Sequence, residues 1–274
     1  MSFLHILVLA IVQGITEFLP ISSSGHLLLI PPLTGWPDQG LATDVMVHVG
    51  SLFAIIAYFW RDVLRILRGM GDAVRLRWTD QARIFWFIAA GTVPAILFGV
   101  VLKLFDVMDI IRANDTLKVS IVGFNAIFYG VILWVADRFS RAETTMEEIT
   151  LRRVLIIGAA QALALIPGTS RSGITMTAAR FLGITRTEAA RFSFLLGIPA
   201  ISAAGLLTFM EALEGGAPIT SDAWLAAALT FFTAFGAIAF LMAIIKRVGF
   251  LPYMLYRVVL GVVLFVLLAQ GVLG

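Results

Sequence analysis

The chain has 274 residues, of which 60% are apolar and only 14% are charged, whereas about a quarter of the residues in a soluble domain are charged. This composition predicts an integral membrane protein and excludes a disordered chain, a coiled coil and a secreted disulfide scaffold. The absence of cysteine excludes disulfides and thiolate chemistry. A net charge of +3 is too small to indicate a nucleic-acid partner.

Two apolar stretches are interrupted by polar, glycine-containing runs, so they are predicted to be re-entrant helical hairpins. The first covers 3–30 with its break at 20–26, and the second covers 154–182 with its break at 167–173. Irregular backbone is tolerated at membrane depth only where protein or a water-filled cavity surrounds it. We therefore expect both tips to be buried. The alternative, a solvent-exposed loop between two spans, is disfavoured by the shortness of the flanking helices.

Six other segments are long and apolar enough to cross a bilayer, since a membrane helix needs about 20 such residues. In chain order the predicted spans are 45–60, 84–102, 118–136, 192–213, 223–245 and 253–273. The expected fold class is therefore an all-α integral membrane protein with six transmembrane helices and two re-entrant hairpins, forming one membrane domain over 1–274.

The order of hairpin, three spans, hairpin, three spans predicts two repeats, at 1–140 and 150–274. Gln13 and the run 20–23 in the first hairpin are echoed by Gln161 and 167–170 in the second. Because each copy has an odd number of spans, the second copy is inverted, and the hairpin tips can meet near the bilayer centre. Inverted repeats with broken helices are typical of transporters, so transport is an alternative function.

Most of the 20 Lys and Arg residues fall in four connections of this topology, at 61–83, 137–153, 180–191 and 246–257. Six spans and two non-crossing hairpins place all four connections on one side of the membrane. The positive-inside rule makes that side cytoplasmic. The first hairpin then enters from the outer face.

Two charges lie inside the hairpins rather than in connections. Glu17 is in the first hairpin and Arg171 is at the tip of the second. Because their signs are opposite and the tips should converge, two interpretations are open. The pair is either a buried ion pair that only joins the repeats or part of a polar cavity. A structural subunit without an active site would leave both charges unexplained.

The residues around these charges favour phosphate chemistry. Gln13 lies one helical turn before Glu17, and three serines and His26 follow. Arg171 is flanked by hydroxyls and glycines, a pattern typical of a phosphate site. A serine near a histidine and a carboxylate can supply a nucleophile, a proton-transfer group and an orienting or metal-binding group.

Two motifs resemble those of a known family. The run 13–26 (QGITEFLPISSSGH) resembles the Glu/Gln-x-x-x-Glu motif and the Ser/His tail of the bacterial undecaprenyl-diphosphate phosphatases, also called bacitracin resistance proteins. The run 167–175 (PGTSRSGIT) is similar to their second signature. The resemblance covers essentially the whole chain. It implies hydrolysis of undecaprenyl diphosphate to undecaprenyl phosphate, the carrier lipid of cell-wall synthesis, at a site that opens to the periplasmic face of the inner membrane.

The resemblance also implies roles for individual residues. Glu17 is the motif carboxylate, Ser23 a candidate nucleophile, His26 a catalytic histidine and Arg171 the clamp on the phosphate. Glu17 and Gln13 are the candidate ligands of a divalent cation, Mg or Ca, although many members have Glu where this chain has Gln13. The candidate substrate-binding residues are Gln13, Ser22, Ser24, Gly168, Ser170, Ser172 and Thr175. His26 or an activated water is the alternative nucleophile.

The expected partners are undecaprenyl diphosphate, membrane lipids and bacitracin as a competitor for the substrate. The resemblance also suggests a homodimer. The alternative function is a transporter or flippase of undecaprenyl phosphate or another anionic lipid. Two further polar residues are not expected to take part in catalysis. His48 is expected to be a packing or interface histidine. Gln161 is either a relic of the repeat or part of a cavity wall.

Overall fold

The computed structural model describes residues 1–37, 39–141, 144–214 and 220–273, which are mostly helical. Two short 3₁₀ turns are formed by Met146–Glu148 and Leu163–Leu165. The helices are α1 (Phe3–Thr16), α2 (Ser23–Leu27), α3 (Ile30–Thr34), α4 (Leu41–Tyr58), α5 (Trp60–Val74), α6 (Asp80–Leu104), α7 (Val107–Arg112), α8 (Asp115–Phe139), α9 (Leu151–Ala162), α10 (Arg171–Phe181), α11 (Arg186–Glu214), α12 (Ser221–Val248) and α13 (Leu251–Ala269). The all-helical expectation is confirmed.

Four helices in the described ranges, α6, α8, α12 and α13, are long and apolar enough to cross a membrane. A fifth crossing is added if the bent pair of α4 and α5 counts as one span. The molecule is therefore a multi-pass membrane protein. The predicted span 45–60 coincides with α4, and 192–213 lies within α11, which is not among these candidates. Six crossings therefore stay a prediction.

The stretch 60–74, most of which lies in the predicted basic connection 61–83, is helical. It forms α5, which is bent by 89° from α4 at Phe59. The polar average of this stretch hides an amphipathic pattern, in which Leu64 and Leu67 recur at helical spacing between arginines. The helix packs against α6, and Asp62 at its start pairs with Arg191 of α11.

Both hairpins contain a helix, a break and a second helix. In each, the second helix begins directly after a serine with positive φ, which is 72° at Ser22 and 70° at Ser170. The first hairpin differs from the expected simple form, because its second arm is divided into α2 and α3. Pro31 stands at the start of α3, and proline cannot donate the hydrogen bond that would continue α2.

The hairpins are enclosed by the long helices. Helix α1 packs on α12 and α9 packs on α6, while α4 contacts both α11 and α12, and α8 contacts both α10 and α13. The approach of α9 to α6 depends on Gly158, because a Cβ there would lie 2.4 Å from the Gly91 carbonyl oxygen. Each of α4, α6, α8 and α11 thus contacts at least one helix of a hairpin.

Arg257 was assigned to a basic connection, and this assignment is wrong. It lies inside α13, is fully buried and donates five hydrogen bonds of 2.9–3.4 Å to backbone carbonyls. The acceptors are the carbonyl oxygens of Pro20, Asn125, Ala126, Gly168 and Thr169. Because these carbonyls belong to both hairpin breaks and to α8, Arg257 holds the two tips to the same helix.

Candidate active site

The two hairpins border a cavity of about 460 Å³. The predicted site residues among its lining are Glu17, Ser22, Ser23, Ser24, Ser170 and Arg171. They come from different halves of the sequence, and Arg257 holds both breaks to the same helix. The expected convergence of the hairpins is therefore observed.

Glu17 and Arg171 form an ion pair in this cavity. The Nη2 atom of Arg171 lies 3.2 Å from Oε1 of Glu17, and the two side chains are only 12% and 10% exposed. The Nη1 atom donates to the Ser193 carbonyl oxygen at 3.2 Å. The buried Nε of Arg171 has no partner among the described residues. The guanidinium is thus held at two nitrogens, while its third nitrogen keeps an unused hydrogen-bond donor.

The second carboxylate oxygen of Glu17 accepts two hydrogen bonds. The Ser23 hydroxyl and the Gln13 amide nitrogen each donate to Oε2 at 3.2 Å. A carboxylate that accepts a hydrogen bond from a serine hydroxyl is in the right place to accept its proton. The structure therefore pairs the candidate nucleophile with Glu17 and not with His26.

His26 does not line the cavity. Its Nδ1 lies 2.7 Å from the Ser22 carbonyl oxygen, and its Nε2 lies 2.6 Å from the hydroxyl of Tyr256. Since a carbonyl oxygen only accepts, Nδ1 carries the hydrogen and Nε2 of the neutral ring accepts from the tyrosine. The two rings also stack, with centroids 5.4 Å apart. Tyr256 was not predicted, and the catalytic role of His26 stays a prediction.

The serines of the two breaks make equivalent contacts. The hydroxyl oxygens of Ser22 and Ser24 are 3.1 Å apart, and those of Ser170 and Ser172 are 3.3 Å apart. The Gly168 backbone N–H donates to Ser24 Oγ at 3.1 Å. Ser24 and Gly168 therefore connect the two hairpins. Gly168 also packs closely on α8, because a Cβ there would lie 2.6 Å from the Val122 backbone.

Two predicted substrate-binding residues lie behind the cavity wall. Ser172 is buried and donates to the Leu19 carbonyl oxygen at 3.2 Å. Thr175 is fully buried, and its hydroxyl oxygen lies 2.6 Å from that of Ser193. In this arrangement both side chains support the breaks and do not face a ligand.

Three polar lining residues outside the motif at 13–26 were not assigned to the site from the sequence. His48 of α4 and Lys118 of α8 line the cavity, although His48 was expected only to pack. Its Nδ1 lies 2.7 Å from the Asp44 carbonyl oxygen. Gln161 lines the cavity from α9. Only Gln161 had a signal in the sequence, its echo of Gln13, because His48 and Lys118 reach the site through tertiary packing alone.

The oxygen donors near the cavity fit a divalent cation that takes most of its ligands from a bound phosphate compound and water. In the described ranges no three His, Asp or Glu side chains are grouped so that they could hold a metal ion. Glu17 is the carboxylate of the cavity lining. The fully buried Oε1 of Gln13, next to it, has no hydrogen-bond partner. One carboxylate and one amide oxygen suit a hard cation that takes its other ligands from phosphate and water.

Comparisons with known proteins identify the family of the chain. The model of the bacitracin resistance protein BacA family matches residues 6–263. The chain is 49% identical to the undecaprenyl-diphosphatase of Erythrobacter litoralis, with 95% of this chain and 98% of the relative covered. It is 46% and 45% identical to the proteins of the same name from Teredinibacter turnerae and Maricaulis maris, with 97% of this chain and 99% of each relative covered. The chain therefore belongs to the bacitracin resistance protein BacA family.

Proposed function

We propose that this chain is an undecaprenyl-diphosphatase, a hydrolase that releases phosphate from undecaprenyl diphosphate and leaves undecaprenyl phosphate. The observation that carries the proposal is the contact of Glu17 with both Ser23 and Arg171 in one cavity. The names of the relatives, at 45–49% identity over nearly the full chain, support the same activity.

In the proposed mechanism the diphosphate head enters the cavity and the prenyl tail stays in the lipid. Arg171 binds the terminal phosphate through the nitrogen that lacks a protein partner. Ser23 Oγ attacks the terminal phosphorus and passes its proton to Glu17, and the bond to the bridging oxygen breaks. Undecaprenyl phosphate leaves, and water then hydrolyses the phosphoserine. The contact between His26 and the Ser22 carbonyl oxygen orients the serine run in this scheme.

Dependence on a divalent cation, Mg or Ca, is part of the proposal. Glu17 and the unpartnered Oε1 of Gln13 would hold the ion, with phosphate and water as the other ligands. When bound, it supplies positive charge next to the phosphate oxygens. We expect purified protein to release phosphate from undecaprenyl diphosphate, to stop in a chelator and to recover when Mg or Ca is added. Absence of metal-dependent release would contradict the proposed function.

Ser23→Ala is expected to lower kcat for phosphate release by about 10³-fold or more, because it removes the nucleophile that starts the reaction. Rapid acid quenching with radiolabelled substrate should trap a phosphoenzyme in the unmodified protein, with the label on Ser23. Ser202→Ala, on the exposed surface of α11, is the control and should keep its activity. Label on His26, or near-normal activity of Ser23→Ala, would reject the assignment.

Gly197→Ala tests the placement of the guanidinium without removing any polar group. A Cβ at Gly197 would lie 2.1 Å from Nη1 of Arg171, so the arginine must move and lose its contacts. We expect kcat/KM to fall by about tenfold or more, since small misplacements of a reacting group are costly. Gly205→Ala in the same helix, where a Cβ would meet nothing within 4 Å, should keep wild-type activity. Equal activity of the two variants would contradict this placement.

The inverted repeat and the orientation are part of the same proposal. We propose six crossings, with α4 and α11 as the additional spans, and a cavity that opens to the periplasmic face of the inner membrane. The packing of α1 on α12 and of α9 on α6 supports a pseudo-two-fold arrangement of the copies 1–140 and 150–274. The matching positive φ angles at Ser22 and Ser170 support it as well.

Lipid translocation is a second candidate activity, favoured by the paired packing of helices from the two halves. Movement of labelled undecaprenyl phosphate across reconstituted vesicles would measure it. The homodimer and the competition with bacitracin for the substrate stay predictions.

A further inference from the structure

Gln161 is a polar side chain in an unusual position. It lies in α9, lines the cavity between the hairpins and is only 2% exposed. Neither its amide nitrogen nor its amide oxygen has a hydrogen-bond partner among the described residues. A buried amide without partners is unfavourable, because it has lost its hydrogen bonds to water without gaining others.

Comparison with the first hairpin explains why this amide is unpaired. Gln13 occupies the corresponding position there, and its amide nitrogen donates to Glu17 one turn later. The residue one turn after Gln161 is Leu165, which lines the same cavity and offers no acceptor. The second hairpin thus has the glutamine without the carboxylate.

The surroundings of Gln161 indicate which ligand would complete its hydrogen bonds. Ser170 and Arg171, from the same hairpin, line the same cavity. The Nε of Arg171 is also buried without a partner. Two unpaired N–H donors from residues that line one cavity suit an oxyanion, because phosphate oxygens accept several hydrogen bonds at once.

We propose that Gln161 is a substrate-binding residue whose side-chain amide hydrogen-bonds the diphosphate head group next to Arg171. The inference deepens the proposed function and rests on it. It replaces the interpretation of Gln161 as a relic of the repeat. A relic would contribute nothing to binding, so removal of its polar atoms would leave the affinity for substrate unchanged.

Gln161→Met tests the proposal, because methionine has nearly the same length and no strong hydrogen-bonding group. KM for undecaprenyl diphosphate should rise by about tenfold or more while kcat stays within about threefold, the pattern of a lost binding contact. The Tm without ligand should stay the same or rise, because an unpaired buried amide has been removed. Gln161→Glu, which adds negative charge beside the phosphates, should raise KM further. Gln270→Met, at the exposed end of α13, is the control and should match the unmodified protein.

A second readout separates this inference from the proposed function. Inorganic diphosphate should raise the Tm of the unmodified protein, and this increase should shrink in Gln161→Met and not in Gln270→Met. If the unmodified protein releases no phosphate, the proposed function fails, and the diphosphate-induced shift still tests the binding by Gln161. An unchanged KM together with an unchanged diphosphate shift in Gln161→Met would overturn the inference. If that variant does not fold, unchanged values in Gln161→Glu would overturn it equally.

Discussion

Arg171→Lys is expected to lower kcat/KM for phosphate release by about 10²–10³-fold, the usual effect of removing one donor from a site that stabilises developing charge. The guanidinium contacts Glu17 and the Ser193 carbonyl oxygen with two nitrogens and keeps a third free. A lysine ammonium is a single point charge on a flexible stem and cannot make these contacts together. Steady-state phosphate release in detergent, with intact undecaprenyl diphosphate, measures the effect.

The lysine variant retains the positive charge next to Glu17, so it should stay folded. Its Tm should therefore lie close to that of the unmodified protein. Arg138→Lys, at an exposed position near the end of α8, is the matched control and should keep full activity. If the activity of Arg171→Lys lay within about threefold of the control, the several donors of the guanidinium would have no special role.

Arg257→Met is expected to destabilise the protein strongly. Five buried contacts to backbone carbonyls disappear. A buried acceptor that is left unpaired costs about 1–3 kcal/mol, and the carbonyls of the breaks lack the helical hydrogen bonds that still satisfy those of α8. Because those carbonyls include Pro20 and Gly168, both hairpin breaks should loosen together. We expect Tm to fall by about 10 °C or more, with loss of phosphate release even below the transition.

Thermal unfolding in detergent, followed by circular dichroism, measures this loss. Arg247→Met, at an exposed position near the end of α12, removes the same charge and should leave Tm nearly unchanged. A Tm of Arg257→Met equal to that of the control would show that the buried arginine does not hold the hairpins.

Much of the site could be predicted because charges are rare in this chain. Glu17 and Arg171 were the two hairpin charges that were not counted with a connection, and a buried charge needs a partner. Their observed separation of 3.2 Å confirms that pairing. The positions of α6, α8, α12 and α13 were predictable for the same reason, since long apolar runs leave few alternatives.

The contacts of Arg257 and Tyr256 could not be predicted from the sequence. Arg257 lies only six residues after the start of α13 and was counted with a connection, but its helix face points toward the hairpin breaks. Backbone carbonyls, which every sequence contains, satisfy its charge. Tyr256, on the same helix, contacts His26 across 230 positions. Contacts of this kind depend on packing and not on a local motif.

The amphipathic helix α5 was missed for a different reason. Its arginines were counted with the basic connection 61–83, although the leucines between them recur at helical spacing. His48 was expected to be a packing histidine, and it also lines the cavity.

Glu17 of the first hairpin and Arg171 of the second should act as one unit, and a double-variant measurement tests this most directly. The kcat/KM for phosphate release from undecaprenyl diphosphate is compared for the unmodified protein, Glu17→Gln, Arg171→Lys and the variant with both changes. Residues that act together lose activity non-additively. We therefore expect each single change to lower kcat/KM severely. The kcat/KM of the double variant should be no lower than that of the less active single variant. Losses that multiply in the double variant would contradict a single site built by both hairpins.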